Sequence, residues 1–146
     1  MNKQFTPQEV CRHFGVTYRQ LWYWGHTKFL EPSCKVRKKY RRYNFNDVLI
    51  IHIVQELRTQ HGQSVQRLRR LIRFLRNKIS MLGPDLDRAT FVILLEPNAL
   101  VDRVLTFYGT PDVSNEETWR GINFSVKEIR GKIEKAFSVQ PDFVQP

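Results

Sequence analysis

Cysteine is scarce: the 146 residues hold two, Cys11 and Cys34. They form no C-x-x-C pair, so the sequence carries neither a disulfide framework nor a thiol-rich metal knot. Long apolar runs are missing as well. The longest, around Val48–Val54 and Phe91–Leu95, fall short of the roughly 18 residues that a membrane span needs and suit a buried helix and a buried strand. The opening MNKQFTPQEV has no apolar h-region, so no secretory signal is expected. Together these absences predict a soluble protein of a reducing compartment, the cytoplasm, with no membrane partner. Repeats and low-complexity tracts are also absent. With 41% hydrophobic and 26% charged residues, disorder throughout is excluded.

Acidic residues are scarce in one half only. Met1–Ser80 holds 17 Lys and Arg against 4 Asp and Glu, a net of +13, whereas Met81–Pro146 holds 7 against 10, a net of −3. So polarised a chain reads as a charge-directed binding module joined to something else. A cationic module attracts polyanions, either nucleic acid or an anionic membrane surface, and charge alone does not choose between them. The composition changes at Met81–Asp87, where Gly83-Pro84 is a helix stop. The expected organisation is a binding domain over 1–80, a small α/β domain over 81–137, and a frayed tail over 138–146.

The basic half reads as four helices and a hairpin. Thr6-Pro7-Gln8-Glu9 is a capping box with proline at the first helical position. The helix it opens runs to about His13 or Phe14 and ends at Gly15. Thr17 can cap a second helix, Tyr18 to about Thr27, and two short helices around a glycine turn make a helix-turn-helix. Glu31-Pro32 enforces an extended exit. In Cys34–Tyr43, six cations in ten residues (Lys35, Arg37, Lys38, Lys39, Arg41, Arg42) alternate with Val36, Tyr40 and Tyr43. Such a cluster repels itself unless an anion is near, and its valine and tyrosine content fits a short hairpin, a basic wing. Asn46 is expected to cap a third helix, Asp47–Gln60, apolar nearly all round and therefore central. Ser64 is expected to cap a fourth, Val65–Lys78. Its inner stripe is Val65, Leu68, Leu71, Ile72 and Leu75, with Arg69, Arg73 and Arg76 on an outer, solvated face. Trp22 and Trp24, two apart on a helix, must face different ways, so at least one belongs to the core.

The order of these motifs resembles the DNA-binding domain of the MerR family of bacterial transcription regulators, over Phe5 to Leu75. The stretch Gly15-Val16-Thr17-Tyr18-Arg19-Gln20-Leu21-Trp22-Tyr23-Trp24 stands where the family shows GVS-x-R-x-L-R-Y-Y. Lys39-Tyr40-Arg41-Arg42-Tyr43 stands for the wing's G-Y-R-x-Y, and Leu57-Arg58, Gly62 and Ser64 match L-R-x-x-G-x-S. The departures are Trp22 for an arginine, Gly25 for an acid and Lys39 for a glycine. No heptad pattern follows the fourth helix, where the family commonly dimerises through a coiled coil. Metal-sensing cysteines are also missing from the second half.

The resemblance implies an α+β, mainly helical fold and a regulator that binds double-stranded DNA through a recognition helix and a basic wing. A homodimer and a contact with RNA polymerase are further partners it allows. Thr17, Tyr18 and Arg19 open the recognition helix, where base edges come within reach, and Tyr23 lies one turn on. Arg19 is the candidate for base or phosphate contact. Arg41 matches the family's DNA-contacting wing arginine, Lys38, Lys39 and Arg42 add charge, and Tyr43 completes the candidate set, with packing its better-supported role. An architectural DNA protein with little sequence preference, or a module for an acidic protein partner, stays open as an alternative.

In the second half, Arg88–Glu96 and Leu100–Tyr108 read as a hairpin, Gly109–Gly121 as a loop, and Ser125-Val126-Lys127-Glu128 as a capping box opening a helix to about Phe137. About sixty residues make a marginal core, so packing or dimerisation is expected of this domain more than effector binding. His13, His26, His52 and His61 match no metal spacing, and no phosphate loop, nucleophile motif or carboxylate pair stands out. No enzyme activity, metal or cofactor is expected.

Overall fold

Local capping chemistry sets the first helices. The Thr6 backbone N–H donates to Glu9 Oε1 at 2.9 Å, and the Glu9 N–H donates back to Thr6 Oγ1 at 3.1 Å. This opens α1 (Pro7–Phe14). Gly15, at φ 68°, closes it in the left-handed conformation that glycine alone adopts without strain. A second reciprocal box joins Thr17 and Gln20 at 3.0 Å in both directions and opens α2 (Tyr18–His26). The computed structural model describes residues 4–37, 40–95, 103–109 and 121–139, and the chain divides into two compact units, Met1–Ser80 and Met81–Pro146.

In the first unit, strands β1 (Cys34–Arg37) and β2 (Tyr40–Arg42) form an antiparallel hairpin whose register shifts between Lys35 and Arg37. Tyr43 continues the pairing with Phe5: each backbone N–H donates to the other's carbonyl, at 2.7 and 2.9 Å. Helix α3 (Phe45–Thr59) is capped by Asn44, a correction to the expected Asn46. The sequence offers two asparagines two apart. Only Asn44 stands three residues before Asp47, so only it can exchange bonds with that side chain, at 2.8 and 3.0 Å. Val48, Leu49, Ile50, Ile51, Ile53, Val54 and Leu57 are all buried, so α3 is the central helix. Helix α4 (Val65–Leu82) runs beyond the expected Lys78. Ile79 prolongs its buried stripe by another turn, and Gly83-Pro84 supplies the stop.

The second unit opens with a 3-10 turn, Gly83–Arg88, leading into β3 (Ala89–Leu94), which is buried along its whole length. β3 pairs antiparallel with β4 (Arg103–Tyr108) and with β5 (Ile122–Ser125), giving the order β4-β3-β5. β5 is an addition to the expected hairpin; four residues with one buried ring, Phe124, give little periodicity to read. Helix α5 (Val126–Val139) follows, with Ser125 Oγ accepting from the Glu128 N–H at 3.3 Å. Its stripe Val126, Ile129, Ile133 and Phe137 is buried. Arg130 ties it to Asp87 of the 3-10 turn at 2.8 Å. The expected turn at Pro97-Asn98, the start of the second strand at Leu100, most of the loop and the end of the tail lie outside the described residues.

Gly121 sits where β5 meets β3. A Cβ there would collide with Val92 Cγ1 and lie 3.2 Å from the Ile93 carbonyl oxygen. Gly121→Ala is therefore expected to destabilise the second unit by about 1–3 kcal/mol, read as a lower midpoint in urea unfolding.

Candidate nucleic-acid interface

The amphipathic split of α2 decides which side chains are available to a partner. Leu21 and Trp24 face inward, 3% and 2% exposed. Arg58 stacks its guanidinium over the Trp24 ring at 5.4 Å, and Phe29 meets that ring edge-on. Tyr18, Arg19, Trp22, Tyr23 and His26 form the exposed arc. Thr17 is exposed too, but its hydroxyl already accepts the Gln20 N–H. The period argument about the two tryptophans thus resolves with Trp24 in the core and Trp22 outside, its indole stacked on the His26 ring at 4.8 Å with 8° between planes.

The hairpin is brought against α2 by Arg41. A Cβ on Gly25 would lie 2.9 Å from Arg41 Nη1, so the guanidinium lies against the glycine backbone near the C-terminal end of the helix. Arg42 donates from Nη1 to the Arg41 carbonyl at 2.9 Å. Lys38 and Lys39 lie outside the described residues. Tyr43 is 2% exposed, in keeping with the packing role expected of it, and burial pushes its phenol up to about 12 despite the opposing charge of Arg41. It supports the hairpin from beneath. Cys11 is half-buried, and burial raises its thiol above the ordinary value.

The hairpin's roots converge on one buried carboxylate, Asp47, which the sequence marks only as the start of the third helix. Asp47 Oδ1 accepts from Ser33 Oγ at 2.6 Å and from Arg76 Nη1 at 3.1 Å; Oδ2 accepts from the backbone N–H of Ser33 at 2.9 Å and of Asn44 at 3.0 Å. Arg76 also donates from Nη2 to the Glu31 carbonyl at 2.9 Å. Residues just before β1 and just after β2 are thereby held by α3 and α4. Arg76 is not on a purely solvated face, contrary to expectation. Arg69 also has a partner, the Phe29 ring at 5.5 Å, while Arg73 is exposed. Only a charge pattern spanning 29 residues, Asp47 to Arg76, signals this clamp, and helical periodicity does not report it.

Among the described residues no group of three His, Cys, Asp or Glu could hold a metal ion, and no helix is long and apolar enough to cross a membrane.

Residues 5–75 match the family model for the MerR HTH family regulatory proteins. Over this segment, just under half of the chain, the protein is similar to that family. Its relatives include uncharacterized HTH-type transcriptional regulators of Mycobacterium bovis and of two strains of Mycobacterium tuberculosis. Each is 35% identical over 72 residues, covering 47% of this chain and 32% of the relative. The match therefore spans about a third of the length of the curated relatives. The matched segment takes in α1, α2, the hairpin, α3 and the first part of α4. Within it, Gly25 is where the family usually has an acid, and the missing side chain leaves the space that the Arg41 guanidinium fills. Gly25→Ala is expected to evict that guanidinium, which can swing away at little cost to the fold. If this surface grips duplex DNA through that arginine, affinity should fall about tenfold, the worth of one charge-assisted contact, in fluorescence anisotropy, with the circular dichroism spectrum unchanged.

Proposed function

We propose that the protein is a DNA-binding transcription regulator of the MerR type, gripping duplex DNA with α2 in the major groove and the β1–β2 hairpin as a basic wing along the backbone. The observation that carries this reading is the seating of Arg41 against Gly25, which makes helix and hairpin one surface on a unit of net charge +13. Thr17, Tyr18, Arg19 and Tyr23 form the helix side of that surface, and Arg41 and Arg42 the wing side; Lys38 and Lys39, outside the described residues, are assigned to the wing from the sequence alone. Arg19 is the one permanent cation on the exposed arc, and its planar fork suits guanine or phosphate. Tyr43 acts as an internal prop. The region 81–137 serves packing, dimerisation or effector binding. A paired site, a homodimer and a contact with RNA polymerase in the bacterial cytoplasm belong to the same reading.

Selection of duplexes from a randomised pool by the full chain tests it. A recurring short site is the expected result, and Arg19→Ala should relax or abolish that preference while the protein stays folded. Equal affinity for all duplexes, with a steep salt dependence, would instead support the second reading, an architectural DNA protein. The arc's single arginine favours that alternative, because it limits hydrogen-bonded readout of bases.

A further inference from the structure

The exposed arc of α2 is unusual for a surface that meets a polyanion. At 3.6 residues per turn its centre is held by Trp22, His26 and Arg19, and its edges by Tyr18 and Tyr23. Four of these five carry rings. Tyr18 is 63%, Trp22 49% and Tyr23 53% exposed, although large apolar rings are normally drawn into a core. The indole stacks on the His26 ring one turn further along the helix. Apart from Arg19, the charge that attracts a nucleic acid stands off this arc, with Arg41 beside Gly25. The helix is left to present apolar area. In the major groove, only the C5-methyl of thymine offers a base-specific apolar contact.

Resting on the DNA-binding reading above, we infer that Trp22, stacked on His26, is a specificity-determining residue that reads thymine methyl groups in the major groove. Arg19 lies on the same arc, so the recognised site pairs thymines under the indole with a neighbouring contact suited to guanine. Double-stranded DNA is the committed occupant. It alone combines a groove that admits a helix with flanking phosphates that answer the net charge of +13 on this unit.

The test uses the full chain and the duplex recovered by selection. Each thymine is replaced in turn by deoxyuridine, which removes only the methyl. At one or two positions the wild-type protein should lose about 3- to 10-fold in affinity, the scale of one buried methyl. Trp22→Ala should bind the parent site more weakly and should no longer distinguish thymine from deoxyuridine at those positions. Trp22→Phe should retain part of the discrimination. His26→Ala should reduce it without abolishing phosphate binding, seen as an unchanged salt slope. Indifference of the wild-type protein to every methyl overturns the inference and leaves the DNA-binding reading intact. So does a Trp22→Ala protein whose deoxyuridine penalties equal those of the wild type. A single strand bound as tightly as the duplex also overturns it, because the rings would then be a base-stacking platform. No duplex binding at all overturns both readings together.

Discussion

Asp47→Ala should lower the stability of the first unit by about 3 kcal/mol, the low end for breaking a buried ion pair. The carboxylate side chain is 1% exposed and its partner Arg76 33% exposed, so Arg76 rehydrates once abandoned, and the cost stays below that of two buried charges. Most of the loss comes from the backbone. The N–H groups of Ser33 and Asn44 both lose their acceptor, at roughly 1 kcal/mol each or more, and the cap of α3 keeps only its Asn44 half. Urea unfolding should show an earlier midpoint. Asp47→Asn, which keeps one carbonyl oxygen and forfeits the charge, should fall between alanine and wild type. A double-mutant cycle with Arg76→Ala isolates the pair, and simple additivity of the two single changes would contradict the clamp. Because Ser33 stands immediately before β1 and Asn44 shortly after β2, the same substitution should also weaken DNA binding.

The second large effect is ionic. If about six phosphates are neutralised by the first unit, the logarithm of affinity should fall with the logarithm of salt at a slope of about −5. Between about 50 and 200 mM salt that is roughly a thousandfold loss. Arg41→Ala should make the slope shallower by about 1, the signature of a removed phosphate contact. A flat salt response would refute a phosphate-gripping surface, whatever the sequence preference.

What the sequence made legible was chemistry closed within a few residues. The Thr6–Glu9 box, the stop at Gly15, the caps at Thr17, Ser64 and Ser125, and the opposite fates of Trp22 and Trp24 all follow from spacings of two to four. The central character of α3 was legible because apolar residues surround it. What was not legible depends on partners distant in sequence. The sharing of Asp47 among Asn44, Ser33 and Arg76 is one such case, although the Asn44 cap itself rests on a spacing of three. Tyr43's packing was readable, but its backbone bridge to Phe5, 38 residues away, was not. β5 exists because β3 has a second edge to satisfy, and nothing in Ile122–Ser125 announces that edge. In the candidate interface, the residue types were readable. The seating of Arg41 on Gly25 was not, since a glycine in a helix ordinarily signals weakness and not a berth.

That berth links two positions sixteen apart in the chain. Moving this finger onto a body with a side chain at position 25, or a finger without the arginine onto this body, should weaken the joint surface as Gly25→Ala does, unless position 25 travels with position 41. A donor arginine would find its seat occupied by a foreign side chain, and a donor lacking it would leave a notch in the scaffold. Chimeras built in matched and mismatched pairs would reveal this as lock-step inheritance of the two sites.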